Sequence, residues 1–329
     1  MYTVGLDVDK DNLVFTIKIL LYAGNSFINN SLLLFTNETI YLLQIYLEGQ
    51  SAGNFSISTR ATAVTKDTYN KLPEISEHRP KLNKNLSDEE LGYFLAGLIE
   101  GAGSLKKNSL QILFPRNDWY LAHYLKSRIG YGNIYSIEDQ NTLRYICKHR
   151  KGLFYILSLI NGKLVGNSKY EEMILYNYSE DFNINILPPV KRLSMDNHWL
   201  AGFTQANGSF YVKVVKSKNI QTGYSIRLEY SLKENSNLPL KLLYYLFKKG
   251  KVFQCNTGWC YKSSGYKTAV KLIDYFDKYS LFGVKYTSFL KFRKVYIMIT
   301  EGKHLEDKGI KKIISIATKG SSETSTQEI

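Results

Sequence analysis

Apolar positions along this chain follow two periods, and from Ser87 onward the two succeed each other in a recurring order. Ser87-Asp88-Glu89-Glu90 opens the first period as a capping box, in which the serine hydroxyl serves the Glu90 amide and the Glu90 carboxylate reaches back. Leu91, Phe94, Leu95 and Leu98 then recur at helical spacing toward Gly101. The spacing predicts a strand over 110–114, a helix from Asn117 or Asp118 to a stop at Gly130, strands over 133–137 and 142–148, and helices over 153–160 and 170–178. Pro188-Pro189 interrupts the chain, because successive prolines forbid helix and withhold ladder donors. Beyond it the order returns: a helix capped by Ser194 or Asp196, strands over 209–216 and 224–232, a helix over 240–247, strands over 251–255 and 259–262, and a helix over 267–276. Two further helices are expected over 288–300 and 304–317, and a polar, disordered tail over 319–329.

The recurrence is sharpest in one stretch. Leu95-Ala96-Gly97-Leu98-Ile99-Glu100-Gly101-Ala102-Gly103 returns 105 residues later as Leu200-Ala201-Gly202-Phe203-Thr204-Gln205-Ala206-Asn207-Gly208. Two apolar helices that each carry small residues and end in glycine are built to touch, with Ala96, Gly97, Gly101, Ala201, Gly202 and Gly208 letting the backbones approach. The repeat divides the chain into an extension over 1–87, halves over 88–187 and 188–318, and the tail. Within the second half the strand faces separate: Phe210, Val212 and Val214 oppose Ser209, Tyr211 and Lys213, and Ile226, Leu228 and Tyr230 oppose Ser225, Arg227 and Glu229.

Charge sharpens this picture. The net charge is +14, with a pI near 9.3, yet residues 1–87 hold eight acids and eight bases, so the whole excess lies with the repeat. A basic duplicated protein points to a polyanion as its partner. Residues 52–86 are expected to be a linker, and 11–50 to be weakly structured or removed by processing. Cys147, Cys255 and Cys260 are too few for a disulfide scaffold and are expected to be ordinary half-buried residues, the last two near a hairpin. The five histidines are scattered, no phosphate-binding loop occurs, and no apolar run approaches the ~18 residues a membrane span needs.

These residues resemble the LAGLIDADG family of homing endonucleases and group I intron maturases, in the form that carries both motifs on one chain. The resemblance spans about 88–316 and implies an α+β fold of two αββαββα halves related by a pseudo-twofold axis, with two saddle-shaped antiparallel sheets and a weakly structured N-terminal extension. It implies a monomer whose sheets straddle double-stranded DNA at an intron-insertion site, group I intron RNA, or both. Candidate contacts are Lys106, Gln111, Arg144 and Lys148 in the first half, and Ser209, Tyr211, Lys213 and Arg227 in the second. The opening residues Met1 to Asp9 resemble a segment of cytochrome c oxidase subunit 1, as an exon read into an intron would, which implies a mitochondrial matrix protein.

The family's chemistry rests on an acid just before the last glycine of each motif, where the pair holds Mg²⁺. Here those positions are Ala102 and Asn207, so metal binding is expected to be weak or lost, with Asn207 at most a neutral ligand. Glu100 lies two residues before Ala102 and is expected to be a packing carboxylate. Supporting lysines, which the family places in a loop before the last helices of each half, would be Lys169 and Lys285. The reading that follows is a maturase assisting its own intron with cleavage lost or strongly weakened. A site-specific homing endonuclease that cuts both strands, nicks or is silenced, and a non-catalytic mitochondrial ribonucleoprotein component, are the alternatives.

Overall fold

A computed structural model describes residues 4–8, 15–19, 72–79, 85–137, 140–218 and 222–321, the first two segments and 319–321 as backbone only. The remaining residues, including most of the extension, the predicted linker before residue 72 and the tail beyond 321, lie outside that description. Contacts divide the chain into residues 1–62 and residues 63–329. In the first unit β1 (Val4–Val8) pairs antiparallel with β2 (Phe15–Ile19).

In the second unit, α1 (Asp88–Ala102) carries the predicted capping box, with Ser87 N donating to Glu90 Oε2 at 2.8 Å and Glu90 N to Ser87 Oγ at 3.3 Å. It is followed by β3 (Gly103–Lys106), β4 (Ser109–Pro115), α2 (Trp119–Ile129), β5 (Asn133–Ile137), β6 (Thr142–Cys147), α3 (Arg150–Ile160), α4 (Asn167–Leu175) and α5 (Tyr178–Phe182). The second half runs α6 (Trp199–Asn207), β7 (Gly208–Lys216), β8 (Tyr224–Glu234), α7 (Asn237–Phe247), β9 (Lys251–Cys255), β10 (Gly258–Ser263), α8 (Tyr266–Lys278), α9 (Gly283–Thr300) and α10 (Asp307–Ser321). Each half has one four-stranded antiparallel sheet, ordered β3-β4-β6-β5 and β7-β8-β10-β9, so the motif helices lead directly into the inner edge strands.

Several boundaries differ from the sequence reading, each for a local reason. The helix expected over 170–178 breaks at Asn177, whose backbone is left-handed, and restarts as α5. Strand β3 is only four residues long, too short to show alternation. Neither Ser194 nor Asp196 caps α6; Asn197 Oδ1 instead accepts from Trp199 N at 3.0 Å. Helix α10 continues to Ser321, into the expected tail. Residues 72–79, expected to be linker, are fastened to α9: Tyr296 donates to the Pro73 carbonyl at 2.9 Å, Arg293 to the Ser76 carbonyl at 2.8 Å, and Arg79 to the Tyr286 hydroxyl at 2.7 Å. No described helix is long and apolar enough to cross a membrane.

The two halves meet along α1 and α6 at backbone distance. A Cβ added to Gly97 would lie 2.7 Å from Phe203 N and closer still to the Trp199 carbonyl; one added to Gly202 would lie 2.9 Å from Leu98 N and closer still to the Phe94 carbonyl. Gly101 faces Ala206 and Asn207 in the same way. Gly208, by contrast, turns against Thr204 of its own helix, and Ala201 gives its amide to the Tyr275 hydroxyl of α8 at 3.0 Å, so neither is shown touching α1. Ala96 is fully buried.

Below these contacts, equivalent positions of the two motifs each grip a loop. The buried Glu100 carboxylate accepts from Val165 N at 2.9 Å, from Gly166 N, and from Trp199 Nε1 of the other half at 2.6 Å. Gln205 accepts from Phe282 N at 2.9 Å and donates to Asp118 Oδ2 of the other half at 3.1 Å. Glu100 is thus the packing carboxylate expected, and burial, only partly offset by its three donors, pushes its pKa up to about 7.

Two measurements test this seam. Gly202→Ala is expected to cost about 3 kcal/mol or more in urea unfolding, the upper end of overpacking, whereas Gly265→Ala, where an added Cβ meets nothing and only the N-cap preference of α8 is lost, should cost no more than about 1 kcal/mol. The native Glu100 carboxyl keeps its proton up to about pH 7 while the unfolded one loses it near 4.5, so the native state holds more protons in that window. Stability from this group is therefore full below the lower value and lost as pH rises through the upper, a fall of about 3 kcal/mol. Thermal melts of Glu100→Gln across pH 4 to 8 should show that fall removed.

Candidate nucleic-acid interface and motif ends

Alternation along the strands fixes which side chains leave each sheet. In the first half Leu105, Leu110, Ile112, Phe114, Leu143, Tyr145 and Cys147 are buried toward the helices. Lys106, Gln111, Arg144 and Lys148 therefore share the opposite face, Lys148 by continuing the alternation one residue past β6. In the second half Phe210, Ile226, Leu228, Tyr230 and Leu232 point inward, and Ser209, Tyr211, Lys213 and Arg227 share the outward face, with Lys213 directly opposite Arg227. All eight predicted contacts thus emerge on the two polar faces.

The outward faces differ in reach and chemistry. Strands β7 and β8 have nine and eleven residues against four and seven for β3 and β4. At about 3.3 Å per residue, β7 extends about 30 Å and β3 about 13 Å. Lys233, Lys251 and Lys262 add to the charge of the second face, where Glu229 pairs with Lys213 at 2.9 Å and lies 3.8 Å from Lys262. Cys255 and Cys260, expected to be ordinary half-buried residues, are joined by a disulfide across the β9–β10 turn, a pairing that spacing alone did not reveal. Cys147 is buried and free.

At the motif ends the two family acid positions differ in kind. Ala102 presents a methyl group. Asn207 presents its amide nitrogen, which donates to the Gly101 carbonyl at 3.0 Å and to Glu234 Oε2 at 3.2 Å. With two oxygens facing it, the amino end of the side chain must point there. A hard cation needs converging oxygens, so a donor at this point does not fit the Mg²⁺ pair the family implies. Glu234 is the carboxylate beside Asn207, and its other oxygen accepts from Asn235 N at 2.8 Å. Among the described residues no group of three or more histidines, cysteines or acids is placed to hold a metal.

Both predicted lysines come to these ends, though in first helical turns rather than loops. Lys285, in the first turn of α9, donates to the carbonyl of Gly208, next to Asn207; burial pushes its amine down while Asp118 opposes that shift. Lys169, in the first turn of α4, pairs with Glu172 at 2.6 Å, and the other Glu172 oxygen accepts from Leu105 N at 2.8 Å. The Glu100 and Gln205 grips hold the two chain segments that lead into α4 and α9, and so position these lysines. Sequence reasoning missed Gln205, Asp118, Glu172 and Glu234. Gln205 could have been found as the motif equivalent of Glu100, and Glu172 by its i,i+3 spacing from Lys169; Asp118 and Glu234 could not, because their motif partners lie 87 and 27 residues away.

Comparison with known proteins agrees with this geometry. Residues 200–296 match the family described as LAGLIDADG endonuclease. A cox1 intron-2 protein of Schizosaccharomyces pombe is 34% identical over 271 residues, covering 80% of this chain and 82% of its own length. The intron-encoded DNA endonuclease aI3 of Saccharomyces cerevisiae is 27% identical, covering 74% and 72%. Among solved structures, the LAGLIDADG meganuclease I-AabMI bound to uncleaved DNA superposes with a TM-score of 0.55 at 24% identity, over 69% of this chain and 98% of that one. Meganuclease I-SmaMI bound to uncleavable DNA gives 0.56 at 20% identity, over 70% and 99%. With two motif helices in backbone contact, a four-stranded sheet behind each and this kinship over four fifths of its length, the chain belongs to the LAGLIDADG family of intron-encoded proteins.

Proposed function

We propose that this protein is a group I intron maturase of the homing endonuclease fold, acting as a monomer in the mitochondrial matrix, with double-strand cleavage lost. One observation carries the reading: the basic outward faces and the helix seam are complete, while the motif ends carry a methyl group and an amide nitrogen where the reaction needs two acids. Loss of a central catalytic interaction costs about tenfold in rate for each 1.4 kcal/mol of barrier. A protein with this surface and without that chemistry still binds and orders nucleic acid. Relatives whose names tie them to cox1 introns and to DNA endonuclease activity support a mitochondrial origin and a duplex-binding saddle.

A second reading, an endonuclease with its centre silenced, is favoured by Lys169 and Lys285 standing at the motif ends and by Glu234 beside Asn207. It predicts that restoring both acids restores the enzyme.

Splicing of the host intron is expected to speed up when the protein is added, and equal rates with and without it would overturn the maturase assignment. On the intronless exon-junction duplex, the natural chain should leave both strands intact in Mg²⁺. The Ala102→Asp, Asn207→Asp double variant should gain Mg²⁺-dependent cutting if only the acids were lost. Cutting by the natural chain would show that cleavage was never lost.

A further inference from the structure

We infer that the first half reads a guanine flanked by thymines, with Arg144 on the guanine and the apolar side chains around it on the thymine methyl groups. The inference rests on the reading above that the outward sheet faces meet duplex DNA.

On the first outward face, the ladder places Arg144 of β6 directly between Leu113 of β4 and Tyr135 of β5. Leu113 is 46% exposed and Tyr135 52% exposed, unusual for large apolar side chains on a sheet face with no packing partner. Ile146 and Ile137 occupy the rows on either side, each partly exposed. Cross-strand neighbours lie about 5 Å apart, so these side chains form one surface around a single guanidinium. The Nε of Arg144 is buried and has no hydrogen-bond partner, so it is out of reach of an acceptor outside the chain, and contact with a base falls to the two terminal nitrogens of the guanidinium. The second outward face carries more charge, with Lys213, Arg227, Lys233, Lys251 and Lys262 all exposed, and it too exposes apolar side chains at Val215 and Phe253.

In the major groove, guanine offers two acceptors, N7 and O6, spaced for an arginine, and thymine is the base that offers a methyl group. Lysines spread along a strand favour phosphates, which carry no sequence. The first face therefore supplies a readout in which apolar contact does part of the discrimination, while the lysines of the second add most of the charge. The overall charge of +14 makes a polyanion the occupant of both faces, and the apolar row makes thymine, rather than another base, the group that fits the first.

The test begins with selection of bound duplexes from a random pool by the full-length protein. A G flanked by T is expected in the half-site that the first sheet covers. In the selected duplex, replacing those thymines by deoxyuridine, which removes only the methyl group, should weaken binding about fourfold per methyl. Replacing the guanine by 7-deazaguanine should weaken it at least about fivefold. Leu113→Ser, at an exposed position, should lose the thymine preference on the Leu113 side of the guanine and keep it on the Tyr135 side, with its melting temperature unchanged. Equal affinity of the natural protein for thymine and deoxyuridine duplexes, or indifference to 7-deazaguanine, would overturn the inference while leaving duplex binding intact. Failure to enrich any duplex would overturn both the inference and the duplex-binding part of the functional reading.

Discussion

The approach of two helix backbones along Gly97 and Gly202 is the constraint on which the rest of the structure depends. At that separation neither position tolerates a Cβ, so the seam has one register. Because each motif helix runs without a break into the inner edge strand of its sheet, that register also sets the spacing and tilt of the two outward faces. Phe282 reinforces it from the second half by packing edge-on to Phe94 at 5.3 Å and against Tyr124 at 5.4 Å. A protein that has to fit a stiff duplex needs such a fixed span. Flexible hinges would spread the binding energy over many arrangements.

On the proposed reading, in which the motif ends have lost their acids, the same seam explains why the fold stays intact. Ala102 and Asn207 stand at the last turn, beyond the tightest contacts, and Asn207 replaces a charge by a bond to the facing helix end. Two carboxylates at that place would repel each other in the absence of a cation. An alanine and a bonded asparagine remove that repulsion, so the loss of catalytic charge costs the scaffold nothing that it depends on.

Much of this was legible in the sequence because it is local. The capping box, the glycine pattern, the strand alternation and the proline break each depend on residues within a few positions of one another, and each placed its element to within a turn. Period placed the outward positions of the predicted strands, and the family resemblance singled out the eight as contacts, Lys106 among them although its strand was not predicted. What depends on distant partners was not legible. Glu100 could be set aside as a ligand, yet its three donors come from one loop and the other half. Asp118 was read only as a helix cap, and its bond to Gln205 spans 87 residues. The docked segment 72–79 looks like linker because its composition is polar, and only the fold brings its carbonyls to Arg293 and Tyr296.

The contact between Glu100 and Trp199 has an evolutionary side. In the motif alignment the position equivalent to Trp199 is Phe94, and the position equivalent to Glu100 is Gln205. A pair made of two first halves would set a phenylalanine ring against each buried carboxylate and leave it short of a donor. A pair made of two second halves would lose the acid that the indole serves, and Asp118 with it. The halves still share a motif and a topology, but neither can any longer complete itself with its own copy. Each half thus carries a side chain that only the unlike half can serve, so the seam itself selects the pairing of unlike halves over either symmetric one.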